Sequence, residues 1–308
     1  METISEIFQG QLKISSPAYA AIWTLTEVIR NSNESTGQGL IKELDLTKDY
    51  LVKQSTILKK VSGRTPLSVI SGCDMFLHHI NKTLSEGDRA EFQNLKNKLV
   101  SLGVKLSEMR PSCLNRITQM ALRCFKDGQT ILVHGYSDVV VNVLIKAAEK
   151  FNFNVIVTEC RPFCEGYIAS KKITKAGISY QLIVDNAVAS VMANVDMVMI
   201  GAEAVVENGG VINRIGTYGI ALIAKAFLKP VYVCTDSLKF VRRFPLSQRD
   251  LPDFTKAEIE FWGNLVDSQK IEHPICDLTP PDLITLLFTD LGILTPSGIS
   301  DELIQLFR

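Results

Sequence analysis

The second half of the chain alternates short β-branched runs with segments of helix length, and this pattern restricts the possible folds more than any other feature. Each run is short enough for a strand that is buried on both faces of a parallel sheet. The segments between the runs are long enough for crossover helices, which predicts a doubly wound, Rossmann-like sheet. The predicted strands lie at residues 130–134, 153–158, 180–185, 195–200 and 230–235, with a possible late strand at residues 283–288.

The first half has a different pattern, because its apolar residues recur at helical spacing. Ser16 followed by Pro17 is typical of a helix start, since proline fits the first helical position. The sequence therefore predicts an α/β protein with a helical domain at residues 1–127 and a Rossmann-like domain at residues 128–308. Further helices are predicted at residues 39–61, 71–84, 88–102 and 111–126, and a terminal helix at residues 300–307.

The composition argues against several classes of function. Of the 308 residues, 46% are hydrophobic, and Lys plus Arg equals Asp plus Glu at 33 each. A balanced charge provides no general attraction to nucleic acid or to an anionic membrane, so we expect neither as a partner. The cysteines and histidines have no zinc-like or disulfide-like spacing, and the first residues do not resemble a secretory signal. We therefore expect a cytosolic protein without a metal.

The segment at residues 201–217 is the best candidate for a ligand site. It joins a predicted strand to a predicted helix, and the N–H groups at a helix N-terminus favour an anion. The glycines after Asn208 permit a tight turn close to a ligand, and Arg214 can bind two phosphate oxygens. These features predict a phosphate-sized pocket. The alternative is an ordinary loop, in which Glu203 caps a helix or pairs with a neighbouring side chain.

Three more side chains are candidates for this pocket because they lie at strand ends. In a parallel sheet, ligands bind outside the carboxyl ends of the strands. His134 ends the first predicted strand, Tyr136 follows it, and Arg161 follows the second. Each also has a structural alternative, either a hydrogen-bonded core residue or an arginine that pins its loop to a carboxylate. No Gly-x-Gly-x-x-Gly turn or Walker sequence is present, so neither NAD nor a nucleoside triphosphate is expected.

Two apolar segments near the C-terminus are predicted to contact another subunit. In the first, a pair of arginines is flanked by phenylalanines, and both residue types are enriched at the centres of protein interfaces. A solvated basic patch is the alternative for the arginines. The second segment is more apolar than one terminal loop needs. The predicted interface residues are Phe240, Arg242, Arg243, Phe244, Leu294 and Ile299.

Five separated motifs also carry a family resemblance. They lie at residues 130–137, 157–162, 201–217, 240–246 and 286–297. Through these motifs the chain resembles the alpha, or regulatory, subunits of the guanine-nucleotide exchange factor for eukaryotic initiation factor two. That family belongs to a superfamily shared with methylthioribose-1-phosphate isomerase and ribose-1,5-bisphosphate isomerase.

The resemblance has an implication for catalysis. The isomerases carry a cysteine after the histidine of the first strand and an aspartate after a Gly-Ala pair, where this chain has Gly135 and Glu203. Glycine cannot transfer a proton, so the resemblance implies that the isomerase reaction is lost and that no residue is catalytic. A sugar phosphate is still a possible ligand, and its implied pocket consists of His134, Tyr136, Arg161, Glu203, Asn208, Asn213, Arg214 and Thr217.

The function that the resemblance implies is regulatory. A subunit of this family is expected to form a homodimer and to contact the beta and delta subunits of the exchange factor. It is also expected to help the complex sense initiation factor two when the alpha subunit of that factor is phosphorylated under stress. Two alternatives remain open, namely a sugar-phosphate isomerase in which other groups have taken over, and a metabolite-binding dimer without a role in translation.

Overall fold

A computed structural model of the chain describes residues 2–62, 65–86, 92–259 and 271–308. The chain forms two compact units. One consists of Met1–Ser112 together with Gln305–Arg308, and the other consists of Cys113–Ile304. Within the described ranges, no helix combines the length and the apolar character needed to cross a membrane.

The first unit is helical, in agreement with the sequence pattern. Its helices are α1 Glu2–Leu12, α2 Pro17–Asn31, α3 Gly37–Ser62, α4 Leu67–Glu86 and α5 Phe92–Glu108. Ser16 is the N-cap residue of α2 and Pro17 its first residue, as the sequence predicts. α1 was not predicted, and the predicted helix at residues 88–102 begins outside the described residues.

Two glycines permit the close packing of α2 against α4 and α5. A Cβ atom added to Gly103 of α5 would lie 2.0 Å from Thr26 Oγ1, and one added to Gly72 of α4 would lie 2.8 Å from Ala18 O. Both distances are too short for a real contact, so neither position has space for a side chain. α2 is therefore the central helix of this unit, and its apolar face is buried.

The second unit is an α/β domain built on a seven-stranded sheet. Its strands follow the order β13-β12-β7-β4-β1-β2-β3, and all neighbours are parallel except β12 and β13. The predicted helical domain followed by a Rossmann-like domain is thereby confirmed. The strands of this sheet are β1 Thr130–His134, β2 Asn154–Thr158, β3 Ser179–Ile183, β4 Met197–Ile200, β7 Val231–Cys234, β12 Leu286–Phe288 and β13 Ile293–Leu294.

A smaller sheet lies within the same unit and was not predicted. Its order is β11-β6-β5-β8, in which β5 and β6 form a hairpin and β11 runs antiparallel to β6. Its strands are β5 Ala204–Val206, β6 Val211–Arg214, β8 Phe240–Val241 and β11 Cys276–Thr279, and a separate antiparallel pair consists of β9 Lys256–Ile259 and β10 Ile271–Pro274. The predicted ligand segment at residues 201–217 therefore contains two strands of this sheet.

The helices after α5 complete the description. They are α6 Arg110–Ala121, α7 Asp138–Ala148, α8 Gly166–Lys175, α9 Val188–Val191, α10 Thr217–Ala226 and α11 Ile299–Leu306. α10 packs over β11 of the small sheet, and α8 packs against β2 and β3 of the large one. α11 corresponds to the predicted terminal helix.

The two compact units divide after Ser112, which is earlier than the predicted border at residue 127. The reason is that most of α6 and the turn after it pack on the large sheet. One apolar cluster of the α/β unit contains Ile117, Ala121, Phe125, Ile131 and Val133. At the other end of the chain, Gln305–Arg308 belong to the helical unit, where the Phe307 ring centre lies 5.2 Å from that of His78.

Candidate functional site

His134 is a buried, hydrogen-bonded residue at the carboxyl end of β1. Only 4% of it is exposed. Its Nε2 lies 2.9 Å from Ile215 O, and its Nδ1 lies 2.6 Å from Thr158 Oγ1. Because a carbonyl oxygen only accepts, Nε2 donates to Ile215 and Nδ1 accepts from the threonine hydroxyl when the ring is neutral. Burial lowers the pKa of His134, so the neutral ring is favoured.

Arg214 occupies the centre of a buried ionic cluster. Its Nε donates to Glu165 Oε2 at 2.5 Å, and a second guanidinium nitrogen donates to Glu165 Oε1 at 2.9 Å. Glu203 Oε1 lies 3.6 Å from the same second nitrogen. Burial alone would lower the pKa of Arg214, but the two carboxylates outweigh this effect and raise it. The guanidinium that was predicted to bind phosphate is thus already paired with carboxylates of the protein.

Gly135 lies beside this cluster and faces Cys160. Its φ is 63°, a left-handed conformation that glycine adopts readily. A Cβ atom at this position would lie 2.9 Å from Cys160 Sγ, so the cysteine fills the space that a side chain at position 135 would need. Cys160 Sγ is also 3.7 Å from His134 Nε2. Burial raises the pKa of this thiol well above its ordinary value, which disfavours the nucleophilic thiolate.

Asn213 and Arg214 lie on opposite faces of the small sheet, because successive residues of a strand alternate between faces. Arg214 faces Glu165, whereas Asn213 Nδ2 donates to Thr217 Oγ1 at 3.1 Å at the start of α10. The Thr217 hydroxyl in turn donates to the backbone carbonyl of Arg214 at 2.6 Å. The predicted pocket is therefore divided into two clusters. We call them the Arg214 cluster (His134, Cys160, Glu165, Glu203, Arg214) and the Asp277 cluster (Asn213, Thr217, Asp277, Thr279).

The N-terminus of α10, where the sequence predicts an anion, is capped by a carboxyl group of the protein itself. Asp277 Oδ2 accepts hydrogen bonds from the backbone N–H groups of Gly216, at 2.7 Å, and Tyr218, at 3.1 Å. Asp277 was missed in the sequence because it lies on a strand far along the chain from α10. One available signal was an acidic residue within the otherwise uncharged strand Cys276–Thr279.

The remaining predicted pocket residues are held by local contacts. Asn208 Oδ1 accepts from the N–H of Gly210 at 2.9 Å, within the turn between β5 and β6. A Cβ atom on Gly209 would lie 2.1 Å from Pro296 O, so this turn packs on the C-terminal segment of the same unit. The turn therefore packs against the backbone of the C-terminal segment at the place where a ligand was predicted.

Arg161 and Tyr136 both lie near the carboxyl edge of the large sheet. The Arg161 side chain is 57% exposed, and its Nε lies 3.3 Å from Glu159 Oε1. Its loop is pinned from the backbone, because the N–H groups of residues 160 and 161 donate to the Asp185 carboxylate. The Tyr136 hydroxyl donates to Asp138 Oδ1 at 2.9 Å and accepts from Lys172 Nζ at 2.5 Å. Lys172 is a cation near this edge that was not among the predicted site residues.

The predicted interface residues do not share one surface. Phe240 and Ile299 are fully buried within the chain, since Phe240 pairs with β5 in the small sheet and Ile299 begins α11. These two predictions are therefore corrected, because a side chain in the interior cannot contact a partner. Arg242, Arg243 and Phe244 are exposed, whereas Leu294 is half-buried. Leu246, the last residue of the same predicted contact segment, is 81% exposed.

No metal centre is evident in the ranges that the structure describes, because no group of three His, Cys, Asp or Glu side chains is arranged to hold an ion.

A family model described as the initiation factor 2 subunit family matches residues 14–296. The chain belongs to this family. The family match and the relatives below confirm the resemblance that the sequence motifs carried.

Two relatives of this family resemble the chain over nearly their whole length. A protein of Dictyostelium discoideum is 42% identical over 313 residues, which cover 97% of this chain and 95% of the relative. A protein of Caenorhabditis elegans is 31% identical, with 99% of both chains covered. Both are named "Translation initiation factor eIF2B subunit alpha". The coarser prediction, a subunit of a translation initiation factor, is thereby confirmed.

Two solved structures have the same fold. The crystal structure of the Pyrococcus horikoshii OT3 translation initiation factor eIF-2B matches with a TM-score of 0.74 and 20% identity, over 96% of this chain and 98% of that one. A chain of the tetrameric eIF2B-beta2-delta2 complex from C. thermophilum matches with a TM-score of 0.77 and 21% identity, over 99% and 93%. At this level of identity the two matches show the fold alone.

Proposed function

We propose that this chain is the alpha subunit of the exchange factor eIF2B and regulates the factor without catalysing exchange. The observation that carries this proposal is 42% identity to the Dictyostelium alpha subunit over 97% of the chain. Two features of the site agree with a subunit that has no isomerase activity. Position 135 is a glycine, and the nearby Cys160 thiol is buried with a raised pKa.

The subunit acts as a homodimer in the cytosol and contacts the beta and delta subunits of the factor. The exposed part of the predicted interface supports this proposal, because the Phe244 side chain is 60% and Leu246 81% exposed next to two arginines. Large apolar side chains and arginine at one surface are typical of interface centres. Phe244 and Leu246 are therefore the side chains to test.

Native mass spectrometry of the purified chain, alone and mixed with the beta and delta subunits, tests this assembly. We expect a dimer that joins the mixture, and we expect Phe244→Ser with Leu246→Ser to weaken one or both associations. Leu228→Asn is the matched control, because Leu228 is 91% exposed at the end of α10 and asparagine tolerates its left-handed backbone. A wild-type chain that stays monomeric and ignores both subunits would contradict the proposal.

The complex uses this subunit to sense initiation factor two when the alpha subunit of that factor is phosphorylated. Exchange assays on reconstituted complexes with and without the chain test this role. Complexes that lack the chain should still exchange nucleotide but should lose most of their inhibition by the phosphorylated factor. Inhibition of equal strength in both complexes would remove the sensing role while leaving the assembly role intact.

A second candidate function is the binding of a sugar phosphate at the carboxyl edge of the large sheet. The observation in its favour is that His134, Glu203 and Arg214 lie close together there. Since Glu165 and Glu203 already pair with Arg214, the phosphate would need another cation, and Lys172 and Arg161 are nearby candidates at this edge. Thermal stabilisation by millimolar sugar phosphate, but not by sulfate, is the expected result. An unchanged melting temperature would count against this pocket.

A further inference from the structure

We propose that Asp277 is a proton-binding group that controls the N-terminal cap of α10. Inside the folded protein its carboxyl group changes between a charged and a neutral form, and the strength of the cap changes with it. This inference concerns the chain by itself and is independent of the translation role proposed above.

The first argument is the asymmetry of the two carboxylate oxygens. Asp277 is 6% exposed, and its Oδ2 accepts both N–H groups at the start of α10. Its Oδ1 is buried and has no hydrogen-bond partner in the part of the chain that the structure describes. A buried oxygen of a charged carboxylate loses its hydration without compensation, whereas a protonated oxygen can donate one hydrogen bond.

The second argument is a second buried, unpartnered oxygen on the same face of the strand. Thr279 lies two residues after Asp277 on β11, and side chains at this spacing share one face of a strand. Thr279 Oγ1 is also buried without a partner among the described residues, and the residue is 0% exposed. The two oxygens are not hydrogen-bonded to each other, but one buried water between them can accept the carboxyl proton of neutral Asp277 and bond to Thr279.

The third argument concerns the charges around Asp277. Across the strand pair it faces Asn213, which is neutral and bonded to Thr217. On the opposite face of the same strands, Arg214 is paired with Glu165, and burial raises the pKa of the Cys276 thiol, which keeps it neutral. On α10, Tyr218 contributes its backbone N–H, and the Lys225 ammonium is bonded to Asp282. In the described ranges, no ion pair with a cation holds the carboxylate in its charged form.

The balance of these effects places the midpoint between the neutral and the charged form close to pH 7. Burial raises the pKa of Asp277 from 3.8 to about 7, although the hydrogen bonds from Tyr218 and Gly216 act in the opposite direction. The folded protein therefore binds a proton that the unfolded chain releases above pH 4 or so. The stability from this proton is fully present below the ordinary carboxyl pKa and is lost as the pH rises through about 7.

Carbon-13 NMR of the full chain with labelled aspartate carboxyl groups tests the proposal directly. We expect one aspartate signal to titrate with a midpoint near pH 7 and to be absent from the spectrum of Asp277→Asn. Asp253→Asn is the matched control, because the Asp253 side chain is 95% exposed. This control should leave the signal assigned to Asp277 unchanged.

Unfolding at two pH values provides the second readout. The wild-type chain should lose more stability between pH 6 and pH 8 than Asp277→Asn, whose amide oxygen can still accept both N–H groups. The same pH dependence in the two proteins would overturn the proposal. If the variant does not fold, the wild-type spectrum decides, since a spectrum in which every aspartate titrates below pH 5 would overturn it as well.

Discussion

At the scale of single residues, position 135 shows how closely the Arg214 cluster is packed. Gly135 has positive φ, and Cys160 fills the space into which a side chain at this position would project. A cysteine introduced at this position would therefore overlap Cys160. The volume that it needs is already occupied by a cysteine from the neighbouring loop.

Gly135→Cys is expected to destabilise the protein for two separable reasons. The left-handed backbone costs about 1–2 kcal/mol for a non-glycine residue, and overpacking against Cys160 costs about 1–3 kcal/mol. Urea unfolding measures the sum. Gly128→Cys is the matched control, because Gly128 also has positive φ but has open space around it. Adding Cys160→Ala should recover only the overpacking part, and a double variant as unstable as the single one would contradict this account.

Removing the Arg214 guanidinium tests the buried ionic cluster. Arg214→Met leaves Glu165 and Glu203 without their cation, and breaking such a buried pair costs about 3–5 kcal/mol. Lys225→Met is the matched control, because the exposed Lys225–Asp282 pair belongs to a class worth about 0–1 kcal/mol. Equal losses of unfolding free energy in the two variants would show that the cluster is not effectively buried.

At the scale of elements, the sequence predicts the large sheet better than the small one. Most strands of the large sheet from β1 to β7 are short, largely apolar runs between helix-length segments, so their type can be predicted directly. β8 has two residues and β5 three, and runs of this length are indistinguishable from loop. For the same reason the sequence cannot show that Asn213 and Arg214 belong to a strand and point in opposite directions.

The candidate site could be predicted only in part for a related physical reason. The local sequence indicates a helix N-terminus that favours an anion, and it indicates that Arg214 can bind one. The groups that satisfy both are distant in sequence, namely Asp277 for the helix and Glu165 for the arginine. Contacts between residues that are distant in sequence produce no periodic pattern, so a single sequence does not predict them.

Helix packing in the first unit allows a prediction about α5. Gly103→Ala should lower the free energy of unfolding by about 1–3 kcal/mol, because its methyl group would overlap Thr26 and Phe76. In α1, a Cβ atom added to Gly10 would have no neighbouring atom within 4 Å. Gly10→Ala should therefore stabilise its helix by about 0.5–1 kcal/mol. Thermal unfolding of both variants measures the difference, and a stabilising Gly103→Ala would refute the close packing of α2 on α5.

At the scale of the whole molecule, the border between the compact units has consequences for truncation. A fragment of residues 113–304 keeps most of α6 and the turn after it, whereas a fragment of residues 128–304 loses Ile117 and Phe125 from the core. These two buried side chains contribute about 3–6 kcal/mol together. We therefore expect the shorter fragment to unfold at a much lower temperature, as measured by circular dichroism. Equal melting temperatures would place the border nearer to residue 127.

Two adjacent codons of this gene, those for residues 213 and 214, encode parts of separate buried networks. A variant at the first disturbs the start of α10, and a variant at the second disturbs the carboxylates around the guanidinium. Substitutions at the adjacent residues 213 and 214 should therefore have different effects on the protein. Substitutions at residues that are distant in sequence but share a network, such as 213 with 277 or 165 with 214, should have similar effects. In a survey of natural variation, sequence distance would be a poor guide to shared effect in this part of the chain.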